Sequence, residues 1–193
     1  MSGRPRSIDR DKVLDAAEAI VARSGAAGLT FEAVAREAGI TKGGVQYCFG
    51  SKENLIRAMI LRWGAAFETE VMAHAGPDPS PQAVIRGHLL ATRDTDEAEH
   101  SRSAAMMTAL LESPDQVAES RAWYTQRLAG LDLTRAADRK VALGFLAGEG
   151  AFLLRALGLI ELDEAQWQRL FADILELAGP RADGDEAEDG RTE

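Results

Sequence analysis

Apolar side chains recur every three or four positions along almost the whole chain, and no stretch alternates as a strand would. Asp9 is placed to cap a first helix whose inner face reads Val13, Ala17, Ile20 and Val21 and which stops at Gly25. Thr30 caps a second, with Phe31, Val34, Ala35 and Ala38 on one stripe ahead of Gly39. Thr41 opens a short third helix through Phe49. Ser51 caps a longer fourth, in which Leu55, Met59, Trp63, Phe67 and Val71 follow at four-residue steps.

Gly76-Pro77-Asp78-Pro79 interrupts the pattern, and Ser80-Pro81 restarts it as a cap followed by proline in the first helical turn, predicting a helix to about Arg93. Ser113-Pro114 repeats that start, separating a helix near 96–112 from one near 114–130. Thr134 to Leu157 reads as one long helix ending at Gly158. Asp163 caps the last, with Trp167, Leu170, Phe171, Ile174, Leu175 and Ala178 on one stripe before Gly179-Pro180. The expectation is an all-α protein of about nine helices: an N-terminal three-helix unit at 1–50, a C-terminal helical bundle at 51–179, and an acidic tail at 180–193, expected to be disordered for want of large apolar side chains.

Composition changes this picture little. Of 193 residues, 46% are hydrophobic and 27% charged, as in ordinary globular domains. The lone Cys48 excludes an intrachain disulfide and a cysteine-based zinc site, and it reads as packing because no second thiol is present to resolve an oxidised form. His74, His88 and His100 have no metal-ligand spacing, so neither metal nor cofactor is expected. The polar opening MSGRPRSIDRDK is unlike a secretory leader, and a cytoplasmic location is expected. Ala142–Ile160 is apolar but contains Glu149 and Arg155, each costing about 2.5–3.5 kcal/mol at mid-membrane, so a packed soluble helix is the better reading.

Charge does change it. The net charge is −9, yet residues 1–63 contain 10 Lys and Arg against 7 Asp and Glu, whereas residues 64–193 contain 12 against 24. The N-terminal part is therefore +3 and the remainder −12, an asymmetry that suits a nucleic-acid-facing end. Within it, Thr30–Lys52 reads TFEAVAREAGITKGGVQYCFGSK, two short helices joined at Gly39-Ile40-Thr41 in the layout of a helix-turn-helix. With Val45 and Phe49 inward, Gly43, Gly44 and Tyr47 are expected to point outward, Gln46 to lie on the flank and Lys42 near the exposed start. Such a face suits a major groove: the glycines allow close backbone approach, while Lys42, Gln46 and Tyr47 offer donors to bases. Thr30 and Thr41, at two helix starts, and Lys52 suit phosphate oxygens, and Arg4 and Arg6 form a basic arm for the minor groove.

This stretch resembles the DNA-binding domain of the tetracycline-repressor (TetR) family, which typically reads T-x-x-x-I-A-x-x-A-G-(V/I)-(S/T)-x-(G/P)-x-(L/V)-Y-x-H-F-x-(S/N)-K-x-x-L. The match runs through Thr30, Val34, Ala35, Ala38, Gly39, Ile40, Thr41, Gly43, Val45, Phe49, Ser51, Lys52 and Leu55. Gln46 stands where many members have tyrosine and Cys48 where many have histidine, which leaves the recognised bases open. The resemblance covers residues 8–63. It implies a homodimer on a pseudo-palindromic double-stranded DNA operator, repression of transcription, and release by a small-molecule effector held in the C-terminal domain.

Candidate effector residues are Trp63, Phe67, Met106, Met107, Leu110, Trp123, Tyr124 and Phe152, aromatics and methionines at helical spacing that serve a core equally well. Glu149, acidic in an apolar helix, calls for a partner: an arginine, a proton, or a cationic ligand, with a partner inside the protein ranked first. The apolar faces Val141–Leu157 and Trp167–Ala178 exceed what one chain's bundle covers, so the last two long helices are expected to pair with a second copy. Gly144 and Gly148 allow close helix approach, either there or within the chain. An enzyme is disfavoured, since no phosphate-binding glycine loop, paired histidines or nucleophile elbow is present. A constitutive regulator or activator without an effector is the alternative.

Overall fold

The computed structural model describes residues 8–96, 103 and 114–179, and its regular elements are all helical. In chain order they are α1 (Arg10–Ser24), a 3-10 turn (Ala26–Gly28), α2 (Phe31–Glu37), α3 (Lys42–Phe49), α4 (Lys52–Ala75), α5 (Pro81–Arg93), α6 (Pro114–Leu128), α7 (Ala136–Ala156) and α8 (Glu164–Leu177). These are eight α-helices among the described residues. All of the helix expected near 96–112 except Asp96 and Ser103, Arg4 and Arg6 of the arm, Met106, Met107 and Leu110, and the tail at 180–193 lie outside them.

The helix starts follow from single side chains. Asp9, Thr30, Thr41, Ser51, Ser80 and Asp163 each accept a hydrogen bond from a backbone N–H in the first turn that would otherwise be orphaned. At Asp163 the bond is reciprocal, Gln166 reaching back to the cap's own N–H at 2.9 Å. The long helix expected from Thr134 instead begins at Ala136. Thr134 donates both its N–H and its hydroxyl to the Asp132 carboxylate (2.9 and 2.7 Å), which fixes it in a turn ahead of the helix.

Two apolar cores result. The first gathers Val13, Ala17 and Ile20 of α1, Val34 of α2, Val45 and Phe49 of α3, and Leu55 and Met59 of α4. The second joins Ile85 and Leu89 of α5 to Phe145 and Phe152 of α7 and to Trp167 and Phe171 of α8. Polar ties complete it: Arg86 donates to the carbonyls of Leu175 and Gly179 (3.0 and 2.8 Å), satisfying the end of α8, and the Trp167 indole N–H donates to Arg93 O (2.8 Å). A Cβ at Gly148 would lie 2.4 Å from Leu89 Cδ2, and one at Gly144 2.9 Å from Ala178 Cβ, so both glycines serve packing within the chain.

The 24-residue α4 contributes Leu55 and Met59 to the first core and packs along α5, which belongs to the second. Its first half is clamped to α1 by Arg62, whose guanidinium meets Asp15 and Glu18 at 2.8 Å each. Its second half packs on α5, where Gly87 comes so close that a Cβ there would sit 2.5 Å from Val71 O.

Candidate functional site

The turn between α2 and α3 is built by a left-handed glycine. Gly39 has φ +67°, its N–H reaches Arg36 O (3.4 Å) and the Ile40 N–H bonds Ala35 O (2.9 Å). This double closure ends α2 and throws Ile40 back over the apolar core. Thr41 then caps α3, its hydroxyl oxygen 3.1 Å from Gly44 N.

With Val45 and Phe49 buried, α3 exposes Lys42, Gly43, Gln46 and Tyr47, the last with 87% of its surface free. Gly44 does not share that face, contrary to expectation. It is buried, and a Cβ on it would lie 3.0 Å from Ile8 Cδ1 and 3.4 Å from Ile40 Cδ1. Its N–H is taken by Thr41, so Gly44 is removed from the base-facing set. Sequence reasoning passed over Ile8, the apolar residue directly before the Asp9 cap, where hydrophobic staples sit.

Lys42 is exposed but not unpaired: its ammonium lies 2.5 Å from Glu32 on α2. The hydrogen bond from Lys42, helped by a backbone N–H, holds the Glu32 carboxyl below the ordinary carboxylate range. Glu32 is thus a second residue the sequence did not single out, its only signal being an acidic group in the first turn of α2. Thr30 and Thr41 use hydroxyl lone pairs as caps (3.1 Å each), which leaves each O–H proton available to an incoming phosphate oxygen. Lys52 is exposed at the start of α4, and Arg10 places its guanidinium 4.7 Å from the Phe49 ring centre. Cys48 is half-buried and packs on the first core.

Three of the expected effector residues, Phe67, Trp123 and Glu149, meet at His88, a position given no functional role in the sequence. Its ring, on a residue 2% exposed, makes edge contacts with Phe67 and Phe145 (both 5.0 Å) and lies 5.8 Å from Trp123. Trp63 stacks on Phe67 at 5.7 Å, and Trp123 meets Tyr124 edge-on at 4.9 Å. Glu149 joins them: His88 Nε2 lies 2.6 Å from one carboxylate oxygen, and the Tyr124 hydroxyl donates to the other at 2.5 Å. Burial, and then the charge of Glu149, drive the Tyr124 phenol well above its ordinary value, so it remains a donor. The partner anticipated for Glu149 therefore lies inside the protein, a histidine and a tyrosine instead of an arginine. Phe152 is buried in the apolar core of α7 and α8.

α6 carries Trp123 and Tyr124 and is also tied to α4. Arg57 of α4 meets Glu119 at 2.6 Å, and Arg127 of α6 pairs with Glu68 of α4 while lying 4.6 Å over the Trp123 ring. Beside this pair opens a cleft of about 400 Å³ bordered by Pro79, Pro81 and Trp123.

Two family profiles match the chain. One, described as "Bacterial regulatory proteins, tetR family", covers residues 13–59, and the other, "Tetracyclin repressor-like, C-terminal domain", covers 82–179. The HTH-type transcriptional regulator BetI of Paraburkholderia phymatum is 29% identical over 187 residues, spanning 89% of this chain and 93% of that protein. The solved multidrug binding protein EbrR, complexed with imidazole, superposes with a TM-score of 0.62 at 23% identity over 90% of this chain and 94% of its own. The ketosteroid transcriptional regulator KstR2 of Mycobacterium tuberculosis gives 0.56 at 18%, over 91% and 96%. At such identities the two solved structures bear on the fold alone.

Proposed function

The chain belongs to the TetR family of bacterial regulatory proteins and is a DNA-binding transcription regulator, and from that premise we propose that it is a homodimeric, cytoplasmic repressor released from its operator by a small molecule. The observation carrying the proposal is the exposed face of α3, where Lys42, Gly43, Gln46 and Tyr47 stand clear of the protein while Val45 and Phe49 fasten the helix from behind. In this reading Lys42, Gln46 and Tyr47 meet base edges, and Gly43 lets the backbone approach them. Thr30, Thr41 and Lys52 hold phosphates, with Arg4 and Arg6 entering the neighbouring minor groove.

Dimerisation is supported by α7. Leu143, Leu146, Leu154 and Leu157 are all exposed, and their spacing places them within an arc of about 80° on an ideal helix. Gly150, with nothing within 4 Å of a Cβ built on it, falls in the middle of that arc, and exposed Leu177 adds to the surface from α8. Such a leucine face gains by meeting its own copy, which would set two α3 helices on one side of the dimer. No helix among the described residues is long and apolar enough to cross a membrane.

An effector is supported by the aromatic and polar gathering around His88 and Glu149. Trp63, Phe67, Trp123, Tyr124, Glu149 and Phe152 are the described candidates. The division at residues 50 and 51 is kept as a functional one, with α4 shared by both parts.

Selection of bound duplexes from a random pool tests the reading. A pseudo-palindrome with half-sites about one helical turn apart is expected; enrichment of a single, asymmetric half-site would overturn the two-fold arrangement.

A further inference from the structure

The cleft beside α6 carries an inference that rests on the effector reading above and names a ligand class for it. At about 400 Å³ it lies in the range of small-molecule sites. Its lining suits an apolar ring: Pro79, Pro81, Val84 and the Trp123 indole all border it. Its polar end is Arg127. That side chain is only 5% exposed, and its guanidinium carbon lies 4.6 Å over the Trp123 ring. A guanidinium so placed cannot be left bare, and its partner is the carboxylate of Glu68, itself 41% exposed. The two members of the pair therefore differ: Arg127 is fixed by stacking and burial, and Glu68 reaches it from the rim.

We propose that this cleft binds an organic carboxylate with a flat apolar body, whose carboxylate replaces Glu68 on Arg127 while its body lies along Trp123 and the prolines. Arginine presents a planar fork that a carboxylate matches with two parallel hydrogen bonds, so the exchange conserves the bonding of Arg127. Glu68 belongs to α4 and Arg127 to α6. Replacement thus removes an ionic tie between them and leaves Arg57–Glu119 in place. It also touches Trp123, whose ring neighbours His88 and Tyr124. The ligand would thereby act on the helix that joins the two cores.

Isothermal titration calorimetry on the full chain with 2-naphthoate, its neutral isostere 2-naphthamide, and 2-naphthylmethylammonium tests the charge requirement. The naphthoate is expected to bind at least tenfold more tightly than either. Two variants separate recognition from structural support. Arg127→Gln should abolish the preference for the acid. Glu68→Gln, which removes the competing carboxylate and keeps the side chain's shape, should raise naphthoate affinity several-fold. A naphthoate that binds no better than the amide, or a Glu68→Gln protein whose affinity is unchanged or weaker, overturns the proposal. Operator binding without ligand is measured alongside: its retention with no response to naphthoate sinks the cleft alone, whereas its absence sinks the regulator reading.

Discussion

Gly87→Ala is expected to destabilise the protein, although alanine is the better helix former. In the interior of α5 the change by itself favours the helix by about 0.8–1.0 kcal/mol. The added Cβ, however, falls 2.5 Å from Val71 O and 3.1 Å from both Ala75 N and Ala75 Cβ. Two of those three atoms are α4 backbone, so no side chain can rotate away and the helices must part. Overpacking of this kind costs about 1–3 kcal/mol, and contact with backbone belongs in the upper part of that range. A net loss of about 1–2 kcal/mol follows, which for a chain of this length lowers Tm by about 2–8 °C. Gly64→Ala supplies the control: it is also inside a helix, and a Cβ there meets nothing within 4 Å. It should gain the propensity term alone and raise Tm by about 2–4 °C. Thermal melts of the three proteins followed by far-UV circular dichroism decide it. A Gly87→Ala protein that melts at or above the wild type would refute the reasoning, because the α4–α5 crossing would then have slack the geometry denies.

Leu146→Glu puts a charge in the middle of the α7 leucine face and should shift sedimentation of the purified protein from dimer to monomer while leaving its helicity unchanged. Lys52→Ala should weaken binding to every DNA sequence and flatten the dependence on salt by about one counterion, whereas Gln46→Ala should alter base preference at one position per half-site; quantitative mobility-shift assays across salt and operator variants separate the two. Asp138 is buried and accepts from Gln82 Nε2 (2.9 Å) and then from the Asp132 N–H (3.0 Å), contacts that hold its carboxyl below the ordinary range. Its folded pKa is thus the lower one, so the stability it contributes is present above the usual carboxylate pKa of about 3.9 and is lost as pH falls through the folded value. Asp138→Asn should lower Tm at pH 7 and make the decline in Tm between pH 5 and 3 shallower than in the wild type.

Much of the local structure was legible because single side chains decide it. Asp9, Thr30, Thr41, Ser51, Ser80 and Asp163 cap the helices they were expected to cap, since a hydroxyl or carboxylate one turn ahead of an apolar stripe has few better uses. Thr134, read as the first residue of a helix, sits ahead of it because Asp132 offered it a nearer partner. Gly44 was misplaced for a related reason: a helical wheel gives direction relative to Val45, but not that Ile8 would fold back to cover the adjoining position. The pairing of Glu149 with His88, 61 residues away, and of Arg127 with Glu68, 59 away, left no periodic trace. Such contacts exist only once α4, α5, α6 and α7 have been packed.

The clamp of Arg62 on Asp15 and Glu18 makes the front of α4 mechanically part of the unit that carries α3. At 1.5 Å per residue the 24-residue helix is roughly 36 Å long. If its Val71 end pivoted by roughly 5° on α5, its far end at Lys52 would swing by roughly 2.5 Å. In a two-fold assembly both arms would swing, and a spacing matched to successive grooves would be mistuned by a visible fraction of a base-pair step for every degree of tilt. Leverage of this kind needs no deformation of the reading head at all.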